Sequence, residues 1–195
     1  MSKGWRIAVV GATGLVGESL LKALAERRFP VASLHALASD RSLGRTVEFG
    51  DEELRVDDLA AFDFSAVDLA LFAASAEAAR EHVPRALDAG CTVVDASPAF
   101  RADADVPLVV PAVNGDRLGR LGERRLVACP GGATVALVSA LHPLHAAAGV
   151  ERVNVVSLQA VSGAGRDAVE DLAEQCAQLL NGRSPGPSRH FPAQI

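Results

Sequence analysis

Seven residues near the start of the chain, Gly11-Ala12-Thr13-Gly14-Leu15-Val16-Gly17, have the composition of a turn that can hold phosphate. A pyrophosphate needs backbone N–H groups aimed at it, no side chain in the way and the positive end of a helix dipole behind it. Gly11, Gly14 and Gly17, with the N–H groups of Thr13, Leu15 and Val16 between them, meet that need when a strand precedes the turn and a helix follows it. Glycines also mark ordinary tight turns, so the context carries the argument. Further on stands Ser39-Asp40-Arg41-Ser42-Leu43-Gly44-Arg45. Ser39, Arg41 and Ser42 suit the 2′-phosphate of NADP, Asp40 suits the ribose hydroxyls of NAD, and the same stretch can be a plain solvated loop. The cation and the hydroxyls tilt the expectation to NADP.

Three cysteines, Cys91, Cys129 and Cys176, are odd in number and widely spaced, which fits neither a disulfide framework nor a zinc site. Cys91 and Cys176 have no basic neighbour to activate them and read as packing residues. His142 and His145 stand three apart, but with no third ligand nearby and Pro143 between them a structural role is expected and no metal is assigned.

These residues must be positioned by regular elements. Arg6–Val10 is a short apolar run before the glycine turn, and Glu18–Arg28 has apolar residues at helical spacing, which gives strand, turn and helix. The alternation continues with strands over Ser33–Ser39, Val67–Ala73 and Cys91–Asp95 and a helix over Ala76–Ala89. Near-continuous apolar strands linked by helices predict a doubly wound parallel α/β sheet of the Rossmann type. The acidic segment Gly50–Leu59 is expected at a sheet edge or in a loop. Leu126–Cys129 predicts another strand and Ala133–Ala147 a long helix. Period-two alternation over Glu151–Val161 predicts a strand, Ser162-Gly163-Ala164-Gly165 breaks it, Asp167–Leu180 predicts a helix, and Asn181–Ser188 an exposed loop. One strand and one helix cannot close a core alone, so this last region reads as the beginning of a second, α+β domain.

The chain has 195 residues, 49% of them hydrophobic, enough for one full core and part of another. A net charge of -5 without a Lys/Arg run argues against nucleic acid as a partner. No apolar run reaches the roughly 18 residues of a membrane span, and Met1-Ser2-Lys3-Gly4-Trp5 leads into a charged strand rather than a signal peptide. A cytoplasmic protein without a membrane partner is the expectation, and the free thiols fit a reducing compartment.

The glycine turn, the Ser39–Arg45 loop, Val94-Asp95-Ala96-Ser97-Pro98-Ala99-Phe100-Arg101, Val109-Val110-Pro111-Ala112-Val113-Asn114 and Gln159-Ala160-Val161-Ser162-Gly163-Ala164-Gly165 together resemble the aspartate-semialdehyde dehydrogenase family, in order and spacing. The resemblance implies an NADP-binding domain over residues 1–133 and the start of a catalytic and dimerisation domain, apparently incomplete, over 134–195. It implies NADP-dependent interconversion of aspartyl phosphate and aspartate semialdehyde through a cysteine thioester, and a homodimer formed through the second domain. Gln159 matches the glutamine that positions the thioester, Ser162 and Gly163 the loop against the nicotinamide, and Arg101 the arginine that binds substrate phosphate; a surface arginine among Asp103 and Asp105 is the other reading of Arg101.

In that family the nucleophilic cysteine opens a helix whose dipole favours thiolate. Here the segment is Ala128-Cys129-Pro130-Gly131-Gly132-Ala133-Thr134, and alignment on the proline and Thr134 puts Gly132 at the nucleophile position. Ala96, Pro98 and Ala112 also replace polar residues of the family pattern. Retained cofactor motifs with a lost nucleophile resemble most the Usg-type homologues, which lack the catalytic cysteine. The expectation is an NADP-binding protein without efficient turnover. The alternative is an active NADP-dependent oxidoreductase on aspartate semialdehyde or another small carbonyl, using Cys129 or direct hydride transfer.

Overall fold

The computed structural model describes residues 4–121 and 124–192; Met1–Lys3, on which part of the signal-peptide argument rests, and Ala193–Ile195 lie outside the described residues. Two compact units make up the chain, Met1–Val153 and Asn154–Ile195.

The first unit is built on strands β1 (Trp5–Val10), β2 (Val31–Ala38), β3 (Thr46–Phe49), β4 (Glu52–Asp58), β5 (Leu69–Phe72), β6 (Thr92–Asp95) and β7 (Leu126–Ala128). They form one sheet in the order β3-β4-β2-β1-β5-β6-β7. Every pairing is parallel except β3 with β4, which is antiparallel. Helix α1 (Leu15–Glu26) follows β1 and helix α2 (Ala76–Asp88) follows β5. Alternate residues of β1 face opposite sides: Ile7 and Val9 pack with Leu21 of α1, whereas Ala8 and Val10 pack with Ala79, Val83 and Ala86 of α2. A strand buried on both faces must be apolar throughout, which explains the run Ile7-Ala8-Val9-Val10 and establishes the doubly wound architecture.

Two local departures from expectation have clear causes. Helix α1 begins at Leu15 rather than Glu18, because extended Gly14 (φ -87°, ψ 164°) serves as its N-cap. It ends in a Schellman closure, with Arg28 at φ 48° and the N–H of Phe29 donating to the Leu24 carbonyl at 3.0 Å. The acidic Gly50–Leu59 stretch contains β4, one strand in from the edge, and the edge itself is β3, joined to β4 by the turn at Gly50-Asp51.

Beyond β6 come the short helix α3 (Pro111–Asn114) and a single parallel bridge from Leu108 to Ala128 of β7. Helix α4 (Gly132–Ala148) follows β7 and continues through Pro143 with no buried residue. His145 Nδ1 accepts the backbone N–H of Val150 at 3.0 Å, a structural use. Buried Cys91 donates its thiol hydrogen toward the carbonyls of Phe64 and Val67, as a packing residue should.

In the second unit, helix α5 (Arg166–Leu180) forms where a helix was expected. The strand expected over 151–161 does not: residues 151–160 carry no regular structure, and Val156 and Leu158 are 94% and 98% exposed. The alternation is present, but a strand requires a ladder partner, and among the described residues these have none. Cys176 is exposed, which overturns its reading as a packing residue. The tail after α5 is exposed at Asn181–Ser184, then pinned by Asp171, whose carboxylate accepts from Ser188 Oγ and the Arg189 N–H, each at 3.1 Å. Those bonds hold the Asp171 carboxyl below its ordinary range. Among the described residues no helix is long and apolar enough to cross a membrane.

Candidate functional site

The carboxyl ends of the parallel strands carry the candidate residues. Chain direction reverses between β1 and β5, since the chain runs outward from β1 through β2 to β4 and then returns to β5 on the other side of β1. Ligands of open α/β sheets bind at such a switch point. The glycine turn lies there. Gly11 has φ +81°, and a Cβ on it would stand 2.6 Å from the carbonyl oxygen of Ala73, just past β5. A Cβ on Gly17 would overlap the Gly11 carbonyl oxygen, so this glycine lets α1 start directly against the turn. The N–H groups of Gly11 and Ala12 are used on the Leu37 carbonyl of β2. Gly14 offers no side-chain cap, so the first-turn N–H groups at Leu15 and Val16 are the outward-facing donors of the helix end.

The loop after β2 comes to this turn. Thr13 Oγ1 and Ser42 Oγ are 3.2 Å apart. Asp40 and Ser42 bound a single 3-10 turn in which the Asp40 carboxylate accepts the backbone N–H of Arg41 at 2.8 Å. One Asp40 carboxylate oxygen is thus engaged locally, and the side chains of Ser39 and Arg41 are exposed.

A second cluster occupies the ends of β6 and β7. Asp95 is fully buried, and its carboxylate accepts the N–H of Ser97 at 2.9 Å and the Ser97 hydroxyl at 2.8 Å. Burial pushes the Asp95 carboxyl up, against the pull of the Ser97 bonds and the Arg101 charge. Half-buried Arg101 donates Nε to the Cys129 carbonyl at 2.9 Å and Nη2 to the Ala96 carbonyl at 2.7 Å. The arginine is therefore engaged with backbone, and the acidic neighbour Asp105 pairs instead with Arg124 at 3.0 Å. Burial pushes the Cys129 thiol up, Asp95 pushes it the same way, and Arg101 opposes both. Gly132 is the first residue of α4, with uncapped Gly131 before it, and a Cβ on Gly132 would meet nothing within 4 Å. Asn114, the last residue of α3, accepts the Val110 N–H at its Oδ1 (2.8 Å).

Gln159, Ser162 and Gly163 belong to the second unit. Gln159 is exposed and donates Nε2 to Ser157 Oγ at 3.2 Å; Ser162 and Gly163 lie in a 3-10 turn, Val161–Ala164, ahead of α5. The structure thus brings together Thr13 with Ser42, and Arg101 with Cys129. Among the described residues no group of three or more His, Cys, Asp or Glu could hold a metal ion. Sequence reasoning gave no role to Asp95 or Ser97. The only signal for them was an Asp-x-Ser step at the end of a buried strand, which is an Asx-turn pattern.

A switch-point glycine turn at a helix N-terminus is the cradle of a dinucleotide-binding domain. Residues 6–121 match the semialdehyde dehydrogenase NAD binding domain, and residues 141–195 match the dimerisation domain of the same family. The chain belongs to the semialdehyde dehydrogenase family. It is 48% identical to aspartate-semialdehyde dehydrogenase of Legionella pneumophila, over 100% of this chain and 56% of that protein. It is 44% identical to aspartate-semialdehyde dehydrogenase 2 of Vibrio cholerae, over 100% of this chain and 58% of that protein. The crystal structure of aspartate semialdehyde dehydrogenase II from Vibrio cholerae, complexed with ASA, matches with a TM-score of 0.94 at 43% identity, covering 100% of this chain and 57% of that one. The chain therefore spans a little over half the length of these relatives.

Proposed function

We propose that this protein binds NADP as a Usg-type member of the family and lacks efficient turnover of aspartate semialdehyde. One observation carries the reading: Gly132, at the head of α4, has no side chain where the thioester-forming cysteine is expected, in space open enough to hold one. A glycine cannot form an acyl-enzyme. Cys129 does not replace it, because its thiol is raised by burial and by Asp95, and nucleophilic attack requires thiolate. The NADP preference rests on Ser42, whose hydroxyl meets Thr13 of the glycine turn, and on the exposed Ser39 and Arg41 of the same loop. In this reading residues 1–133 form the cofactor domain and residue 134 begins the catalytic and dimerisation domain of a cytoplasmic homodimer. Gln159, Ser162 and Gly163 keep their family roles at the thioester and nicotinamide positions.

Phosphate-dependent reduction of NADP with aspartate semialdehyde, measured for the wild type and Gly132→Cys, tests the catalytic part. Turnover should appear only in the variant. Wild-type turnover equal to that of an ordinary family member would overturn the reading in favour of an active oxidoreductase. Fluorescence titration with NADPH and NADH tests the cofactor part. A charge-assisted contact to the 2′-phosphate corresponds to roughly tenfold or more in affinity, so Arg41→Ala should lose most of the NADPH preference. Equal affinities in the wild type would contradict the assignment.

A further inference from the structure

Arg101 lies six positions beyond the end of β6, yet its contacts reach across to the end of β7. Nε and Nη2 form one edge of the guanidinium, and both are spent on main-chain carbonyls, of Cys129 and of Ala96. A planar fork of this kind fixes the relative place of the two carbonyls it joins more tightly than the freely rotating donors of an ammonium would. The peptide of Cys129 is gripped from its other side too, since its N–H donates to the Asp95 carbonyl at 2.7 Å. Only Pro130 and Gly131 separate that gripped residue from the first residue of α4. The turn from which Arg101 reaches is itself locked: Asp95 holds the N–H and hydroxyl of Ser97, and Ser97 Oγ accepts the N–H of Ala99 at 3.1 Å, all of it buried. The remaining nitrogen, Nη1, stands 3.7 Å from where a Cβ on Gly131 would be.

We infer that Arg101 is a positioning residue: it clamps the backbone after β7 to the backbone after β6 and so sets where the first turn of α4, with position 132, stands. Asp95 and Ser97 hold the turn that aims it. An arginine serving only as an anion ligand would leave both carbonyls to solvent, and the β7–α4 turn would not depend on it before a ligand arrives. The functional weight of this clamp rests on the reading that position 132 is the nucleophile position; the clamp itself does not.

Two measurements on the full chain separate those points. Hydrogen–deuterium exchange without ligand, on peptides covering residues 126–135, should be about tenfold faster in Arg101→Lys, which keeps the charge but lacks the planar fork whose two nitrogens each hold one carbonyl, with exchange in α1 unchanged. Ser97→Ala, a milder lesion, should accelerate the same peptides by about threefold. Should Arg101→Lys fail to fold, Ser97→Ala decides the matter, and exchange within twofold of wild type there, or in Arg101→Lys, overturns the clamp. The second measurement follows alkylation of the thiol introduced by Gly132→Cys against pH, resolved by peptide from Cys91, Cys129 and Cys176. Adding Arg101→Lys should raise its midpoint by about half a unit or more, although the positive charge is retained, because a first turn no longer clamped frays and its N–H groups stop stabilising thiolate. An unchanged midpoint would show that the clamp does not set position 132. Wild-type turnover in the dehydrogenase assay would defeat the proposed function and leave the exchange result standing.

Discussion

At position 132 the missing side chain is a chemical fact that the backbone does not impose. Gly11 contrasts with it: there φ is +81° and a Cβ would press on the Ala73 carbonyl oxygen, so only glycine fits. Gly132 has open space around its Cβ direction and stands in the first turn of an ordinary α-helix. Replacing such a glycine reduces the freedom of the unfolded chain, so Gly132→Ala should stabilise the protein by about 0.4–1 kcal/mol, a rise in Tm of about 1–4 °C. Gly11→Ala should lower Tm by more than that. Thermal unfolding of both variants checks the contrast, and equal losses would mean that the fold, not the loss of chemistry, keeps glycine at 132.

Among the elements, α2 is docked by a charged side chain as well as by its apolar face. Arg85 donates Nη1 to the Leu59 carbonyl at 3.3 Å and to His82 Nδ1 at 2.8 Å, and Nη2 to the Phe62 carbonyl at 3.1 Å. Nδ1 of buried His82 must therefore accept, which makes the imidazole neutral. Burial depresses the His82 pKa below its ordinary 6.5, with Arg85 acting in the same direction and Glu81 and Asp58 opposing. As pH falls through about 6.5 the unfolded chain takes up a proton that the folded chain refuses, so this contribution to stability is present above that value and is lost on acidification. Urea midpoints should decline from pH 7.5 to pH 5.5, and His82→Gln should flatten the decline; an unchanged slope in the variant would place the acid sensitivity elsewhere. The strands on either side of this contact were legible in the sequence because burial on both faces demands apolar runs such as Leu69-Ala70-Leu71-Phe72. The β3–β4 hairpin was not, because Thr46–Phe49 is only four residues long and Glu52–Asp58 is mostly charged, with Leu54 and Val56 its only apolar residues. The same distinction divides the site. The glycine turn shows itself through residue type, whereas the Arg101 clamp ends on main-chain carbonyls 5 and 28 residues away, and a carbonyl is the same on every residue.

On the scale of the whole molecule, the two units differ in how much apolar surface they cover. The sheet of the first unit is packed on both faces, but α4 within that unit buries no residue and leaves Leu137 and Leu144 exposed. The second unit leaves Val155, Val156 and Leu158 exposed along an extended segment. Residues 141–195 match a dimerisation domain, and an extended apolar segment of this kind is of the type that further packing, within a longer chain or between copies, covers. The proposed homodimer should bury the extended segment, so that Leu158→Asp raises the dimer dissociation constant by about tenfold or more, since a desolvated carboxylate at an interface is costly. Sedimentation velocity over a concentration series measures this directly. A wild type that sediments as a monomer at every concentration, or an unaltered dimer in Leu158→Asp, would remove this segment from the interface.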